Sequence, residues 1–266
     1  MTMDLEACLS RIGYEGPREP DLATLAALQE AFLRTVPFEN LDIHLGRPIV
    51  LETERFYAKI VDERRGGFCY ECNGLFHAML GAMGFEVRYL AAAMLLERSV
   101  PMDFGHMVLL VRLDGDYLVD VGNGQSCLVP LRLDGGRASS EGIEYEVRPY
   151  DGGHALFYRE GGGEWKPRYR FTTTSRELPE FTGLCRWHQT SPRSRFTRHR
   201  LATIAANGGR VTLVDTELTV AEGKTQRVKR LTGAAEYGAA LQSYFGLALT
   251  RRELDALLAA LPPPPA

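Results

Sequence analysis

The stretch that decides the reading is "RRGGFCYECNGLF", residues 64–76, where Cys69 and Cys72 stand three positions apart behind two arginines and two glycines. Such a spacing admits a redox pair, half of a metal site, or one working thiol beside a bystander. A thioredoxin-like pair follows a strand, whereas the residues upstream of Cys69 read as helical. Zinc needs about four ligands, and no second cysteine or histidine pair of suitable spacing exists. A single nucleophilic thiol fits better. The glycines let the backbone turn tightly ahead of a helix, and Cys69 falls in its first turn. Unpaired N–H groups and the positive dipole end there favour a thiolate and can receive an oxyanion. Cys72, one turn later, reads as a small core residue.

Upstream, "DLEACLSRIG" predicts a helix capped by Asp4 and stopped by Gly13, and "PDLATLAALQEAFLRTV" a second capped by Asp21. A further helix is predicted over 53–62, and the cysteine helix ends at Gly84. From residue 85 the period changes to that of strands: "FEVRYLAAAMLLE", "HMVLLVRL" and "YLVDVG", then segments near 143–149, 154–159 and 165–173. "RLATIAANGGRVTLVD" reads as a hairpin, and "AAEYGAALQSYF" and "TRRELDALLAAL" as helices, the second capped by Thr250. Helices first, strands next and a mixed end describe an α+β protein with segregated parts.

A thiol nucleophile wants an imidazole, and the imidazole an orienting carboxylate. His106 opens one apolar strand and Asp120 interrupts another, where a carboxylate is costly unless paired. Hairpin register decides whether they meet. A two-residue loop at Asp114-Gly115 sets residue 109 against 120 and turns His106 to the opposite face. A three-residue loop, 113–115 with Gly115 left-handed, sets 108 against 120 and leaves His106 diagonal to Asp120 on one side.

The bulk numbers narrow the classes. A net charge of −3 gives no basic excess for nucleic acid or an anionic membrane, and no stretch approaches the apolar length of a spanning helix. The N-terminus does not read as a signal peptide, and five cysteines, an odd count, suit reduced thiols in the cytoplasm. The length of 266 residues suggests roughly two domains. The "LPPPPA" tail reads as a polyproline end without a fold role.

"RRGGFCYECN" resembles the arginine-glycine-glycine-x-cysteine-x-glutamate motif of the arylamine N-acetyltransferase family. "IGYEGP", "VPFENLDIHLGRPI", "YLVDVGNG" and "HQTSPRSRFTRHRL" resemble that family in the same order, over about residues 10 to 220. The resemblance implies three parts: a helical bundle over 1–84 carrying the nucleophile, a β-barrel-like domain over 85–190 carrying His and Asp, and an α/β lid over 191–266. It implies a Cys69–His106–Asp120 triad and ping-pong transfer of acetyl from acetyl-CoA, through a cysteine thioester, to an arylamine or arylhydrazine. It implies no metal and no bound cofactor. Glu39 and Arg65 match the family's buried carboxylate–guanidinium pair. Phe38, Phe68, Phe104 and Phe196 are candidates to line an aromatic substrate pocket, with ordinary core packing the alternative for each. Asn123 stands where the family commonly has an aromatic bordering the acceptor site, and Gly105 where many relatives carry a hydroxyl. Both bear on donor and acceptor choice. An amide synthase of the same superfamily acting on a carrier-bound polyketide, a thiol hydrolase with the same triad, and a non-enzymatic binding module remain open.

Overall fold

The computed structural model describes residues 3–96 and 100–259; the polyproline tail lies outside the described residues. Asp4 caps α1 (Leu5–Ile12) by accepting from the Glu6 and Ala7 N–H groups, and Gly13 ends it at φ 67°. Asp21 caps α2 (Leu22–Thr35) through Thr24. After β1 (Phe38–Glu39) and α3 (Leu41–His44), α4 (Thr53–Tyr57) widens into a π-helical turn, Ala58–Asp62, that buries Lys59. The helix predicted over 53–62 is therefore two registers, and the change turns a lysine inward. α5 (Cys69–Ala82) is buried almost all round its first turns, as a central helix must be.

The glycines ahead of α5 act by close approach, not by a left-handed turn: φ is positive at Arg64 (51°), not at Gly66 or Gly67. Gly67 pairs with Phe38, and the Glu39 N–H donates to the Gly67 carbonyl at 2.9 Å. A Cβ on Gly66 would sit 2.0 Å from the Pro37 carbonyl, and one on Gly67 2.7 Å from Glu71 Cβ. The "PFEN" and "RRGG" segments are thus neighbouring backbones.

An eight-stranded antiparallel sheet follows: β2 (Glu86–Met94), β3 (His106–Arg112), β4 (Asp116–Val119), β5 (Leu131–Arg132), β6 (Arg137–Ser140), β7 (Ile143–Tyr150), β8 (Gly153–Glu160) and β9 (Lys166–Arg176). Its order, β5-β4-β3-β2-β9-β8-β7-β6, makes two consecutive strands its outer edges. The Gly136 N–H donates to Arg132 at 2.8 Å and the Val147 N–H to Gly136 at 3.0 Å, so the sheet curls into a nearly closed barrel. β3 alternates between two cores: Met107, Leu109 and Val111 pack on the helices, Val108 and Leu110 inside the barrel. Burial on both faces explains its unbroken apolar run.

Then come α6 (Thr182–Thr190), α7 (Arg195–Arg198), β10 (Leu201–Ala206), β11 (Gly209–Val214), β12 (Glu217–Glu222), β13 (Thr225–Arg230), α8 (Gly233–Phe245) and α9 (Arg251–Ala259). β10 to β13 form a meander to which β1 adds an edge, with α8 and α9 packed in its own core. β13 is exposed along its length, so it carries no apolar alternation by which the sequence would show it.

Gly66→Ala is expected to lower stability by about 2 kcal/mol, because backbone cannot yield to the new methyl. Gly81→Ala, on the exposed side of α5 with nothing within 4 Å, should gain about 0.5 kcal/mol. Thermal melts of the two variants should move in opposite directions.

Candidate active site

The β3–β4 register settles the histidine. Leu109 faces Val119 and Arg112 faces Asp116, so the loop is 113–115, and the same register carried on sets residue 108 against 120. Gly115 does not adopt the left-handed conformation expected of it; the loop is closed instead by the Leu113 N–H donating to the Gly115 carbonyl at 2.9 Å. His106 and Asp120 meet: His106 Nε2 lies 2.9 Å from Asp120 Oδ2.

Asp120 follows β4 directly and lies against the first turns of α5. Its Oδ1 accepts from Asn73 Nδ2 (3.0 Å) and from the Gly122 N–H (2.9 Å). Asn73 also donates to the Met107 carbonyl at 2.8 Å and accepts from the Val121 N–H at 3.0 Å. Sequence reasoning passed over Asn73, whose place four residues after Cys69 on the same helix was its only signal. Burial pushes the Asp120 carboxyl up, but His106, Asn73 and Gly122 outweigh it and hold it below the ordinary range. Asp120 is thus an ionised acceptor, His106 Nε2 carries the proton, and Nδ1 is left as the basic nitrogen.

Cys69 is 3% exposed. A Cβ on Gly122 would lie 2.7 Å from Cys69 Cα, so only glycine lets the end of β4 close on the start of α5. Burial drives the Cys69 thiol well above its ordinary range, Cys185 and Asp120 add to this, and a hydrogen bond from Met107 opposes it. Burial thus opposes the thiolate that the helix end favours. Cys72 is fully buried, with its Sγ donating to the Gly67 carbonyl at 3.2 Å.

Cys69 and His106 open onto one cavity of about 460 Å³. Phe38, Asn123 and Phe196 line it as anticipated. Phe68 and Phe104 do not. Phe68 is fully buried at the start of α5, where it meets Phe196 edge-on at 5.8 Å. Phe104, at φ 63°, packs on Phe181 at 5.3 Å and under Arg176. The wall also holds Trp187 and His188, for which no role is legible in the sequence. His188 Nε2 donates to the Gly105 carbonyl at 3.0 Å, and burial lowers its pKa to about 4, so it stays neutral. Arg168, Arg193, Arg195 and Arg198 line the same cavity, with no acidic residue among its described lining. Arg168 is fixed by Asn123 Oδ1, to which it donates at 3.1 and 2.9 Å, and by Gln125 Oε1 at 3.0 Å.

A family model described as N-acetyltransferase matches residues 21–254. This chain belongs to the arylamine N-acetyltransferase family. It is an enzyme that transfers an acetyl group to the nitrogen of an arylamine. It is 38% identical over 259 residues to the arylamine N-acetyltransferase of Mycolicibacterium smegmatis, covering 94% of each chain. The solved Salmonella typhimurium enzyme superposes with a TM-score of 0.92 at 29% identity, over 98% of this chain and 100% of that one. The Mycobacterium marinum enzyme, solved in complex with CoA, gives 0.88 at 32% identity over 96% and 98%.

Beneath the acetyltransferase's thiol lies a buried charge cluster larger than the Glu39–Arg65 pair read from the sequence. Arg65 donates to Glu39 at 2.7 and 3.0 Å and lies 3.2 Å from Asp42. Lys59, brought inward by the π turn, reaches both Asp42 and Glu71 at 2.8 Å. The second Glu71 oxygen accepts from the Phe68 N–H at 3.1 Å, at the entry to α5. Burial raises the Asp42 carboxyl, but Lys59 and Arg65 hold it below its usual range; Glu71, more deeply buried, is pushed up. Lys59→Met should cost about 3 kcal/mol or more by stranding these carboxylates. Arg251→Ala breaks a pair at side-chain exposures of 73% and 54% and should cost no more than about 0.5 kcal/mol. Denaturant unfolding of both variants measures the contrast.

Proposed function

We propose that Cys69, His106 and Asp120 carry the acetyl transfer, with acetyl-CoA as donor. The observation that bears most weight is the His106 Nε2–Asp120 Oδ2 hydrogen bond at 2.9 Å, on the wall of the cavity that Cys69 shares. His106 Nδ1 takes the Cys69 proton as sulfur attacks the acetyl carbonyl carbon. The carbonyl–sulfur bond to CoA breaks, and the departing CoA thiolate receives that proton from His106. The arylamine nitrogen then attacks the Cys69 thioester, gives its proton to His106, and the Cys69 sulfur leaves and is reprotonated. Burial makes a lone thiolate costly, but moving the proton onto His106 leaves the net charge of the site unchanged, and Asp120 stabilises the imidazolium. The first-turn N–H groups of α5, left unpaired within the helix, would receive the tetrahedral oxyanion. The CoA complex of the M. marinum relative supports the donor. No helix among the described residues is long and apolar enough to cross a membrane, in keeping with a cytoplasmic enzyme acting on small diffusible substrates.

Asn123 gives the acceptor a finer description. Its carbonyl holds Arg168 in the cavity wall, one residue beyond the glycine that touches Cys69. The Arg168 guanidinium has no carboxylate partner among the described residues, which favours an arylamine bearing its own carboxylate.

Intact-protein mass after brief exposure to acetyl-CoA without acceptor should show one added acetyl group. It should be absent from Cys69→Ser and removed by an arylamine; a native protein that never gains the group would end the ping-pong reading. Arg168→Leu should raise KM for 4-aminobenzoate about tenfold while KM for a neutral arylamine stays within about twofold. An equal loss for both acceptors would remove the carboxylate preference.

A further inference from the structure

A second cavity, far smaller than the first, adjoins Asp120. Its volume is about 10 Å³, and Gln29, Asp120, Ser126 and Tyr169 contribute its polar lining. Apolar side chains of the barrel complete the wall. All four polar residues are deeply buried, at 1%, 6%, 3% and 0% exposure in that order. Gln29 Oε1, Ser126 Oγ and the Tyr169 hydroxyl have no hydrogen-bond partner among the described residues. The Gln29 amide cannot be turned round to hide its oxygen, because Nε2 donates to the Cys127 carbonyl at 2.8 Å. Three orphaned polar groups from α2, the loop after β4, and β9 therefore meet at one void beside the carboxylate that orients His106. Leaving buried polar groups unpaired is costly, and such convergence on a single space is not a packing accident.

We propose that this void binds one water molecule, which donates to Gln29 Oε1 and Asp120 Oδ2 and accepts from the Ser126 and Tyr169 hydroxyls. Donors and acceptors match in number. Water offers two donors and two acceptors, and the wall presents two oxygens that can only accept and two hydroxyls free to donate. The volume is about the least that admits a water. Asp120 Oδ1 already takes two donors, whereas Oδ2 takes only His106, so Oδ2 has an open lone pair. Tyr169 lies against Asp120: burial, then that carboxylate's charge and a direct hydroxyl–carboxylate interaction that falls short of hydrogen-bond geometry, push its hydroxyl well above the ordinary range, which keeps it protonated as a donor. His106 packs on the Tyr169 ring at 5.1 Å. Ser126, Tyr169 and Gln29 thus become positioning residues acting through the water on Asp120. The inference rests on the triad reading of Asp120.

The consequence is a pH effect of defined sign. The titratable groups facing Asp120 are His106 on β3, Tyr169 on β9 and Cys69 on α5, with Cys127 and Arg168 beyond Tyr169. Donors to a carboxylate favour its charged form, so removing one raises Asp120. Activity that needs ionised Asp120 is then lost at higher pH as the medium is acidified.

The test uses the full chain. A crystal structure at a resolution that orders internal waters should show one peak within hydrogen-bond distance of all four groups. In Tyr169→Phe and Ser126→Ala, kcat should fall about tenfold with KM for acetyl-CoA unchanged, and the acid limb of the kcat profile should move to higher pH. A dry void with the Tyr169 hydroxyl bonded straight to Asp120 would overturn the proposal, as would an acid limb unmoved in both variants. The native density decides the matter even if a variant fails to fold. Asp120→Asn, run alongside, separates the two layers. If it retains the native rate, the triad reading itself fails; if it is inactive while the void is dry and both variants keep the native profile, only the water site fails.

Discussion

A buried carboxylate must be paired, and the architecture around Asp120 is what that requirement produces. Its oxygens take hydrogen bonds from a strand of the barrel, a helix of the N-terminal bundle and the backbone of its own loop. The side-chain donors come from elements that two cores position. The barrel interior fixes β3 and β4 through Val108, Leu110 and Leu118, while the bundle core fixes α5 through Phe76, Met79 and Leu80. Asp120 is the point at which the two cores are tied together, and the orientation of His106 follows from it.

The same rule operates on the other side of α5. Glu39, Asp42, Lys59, Arg65 and Glu71 are all buried, and each meets an opposite charge. Buried ion pairs add little stability over apolar packing but demand one arrangement. Here that arrangement fixes the entry of α5, since Glu71 holds the Phe68 N–H and Arg65 holds β1 through Glu39. The thiol sits between a charge cluster below and a carboxylate–imidazole pair above, on a helix that neither allows to shift.

The cavity wall works differently. Its aromatic rings exclude water, while its arginines supply charge with no acidic residue among the described lining, so that lining is cationic. Asn123 does more than leave space. It supplies the carbonyl that holds Arg168 in place.

How much was legible beforehand depended on whether the deciding physics was local. Caps at Asp4 and Asp21, the stop at Gly13 and the strands after residue 85 follow from near-neighbour chemistry, and the structure carries them at nearly those positions. Cys69, His106 and Asp120 were also within reach, because a thiol after glycines and a carboxylate in an apolar strand are conspicuous in one dimension. Asn73, Lys59, Ser126 and Tyr169 were not. Their roles come from contacts such as Asn73 with Met107 and Lys59 with Glu71, made by residues far apart in the chain or on unlike elements. Phe68 and Phe104 show the converse: aromatic character foretold packing but not which neighbours the ring would meet. The sequence by itself determined most of the helices and strands and brought Cys69 forward as the candidate thiol. Only the tertiary structure decided how far Cys69 is desolvated, since that depends on how completely the other elements close over it.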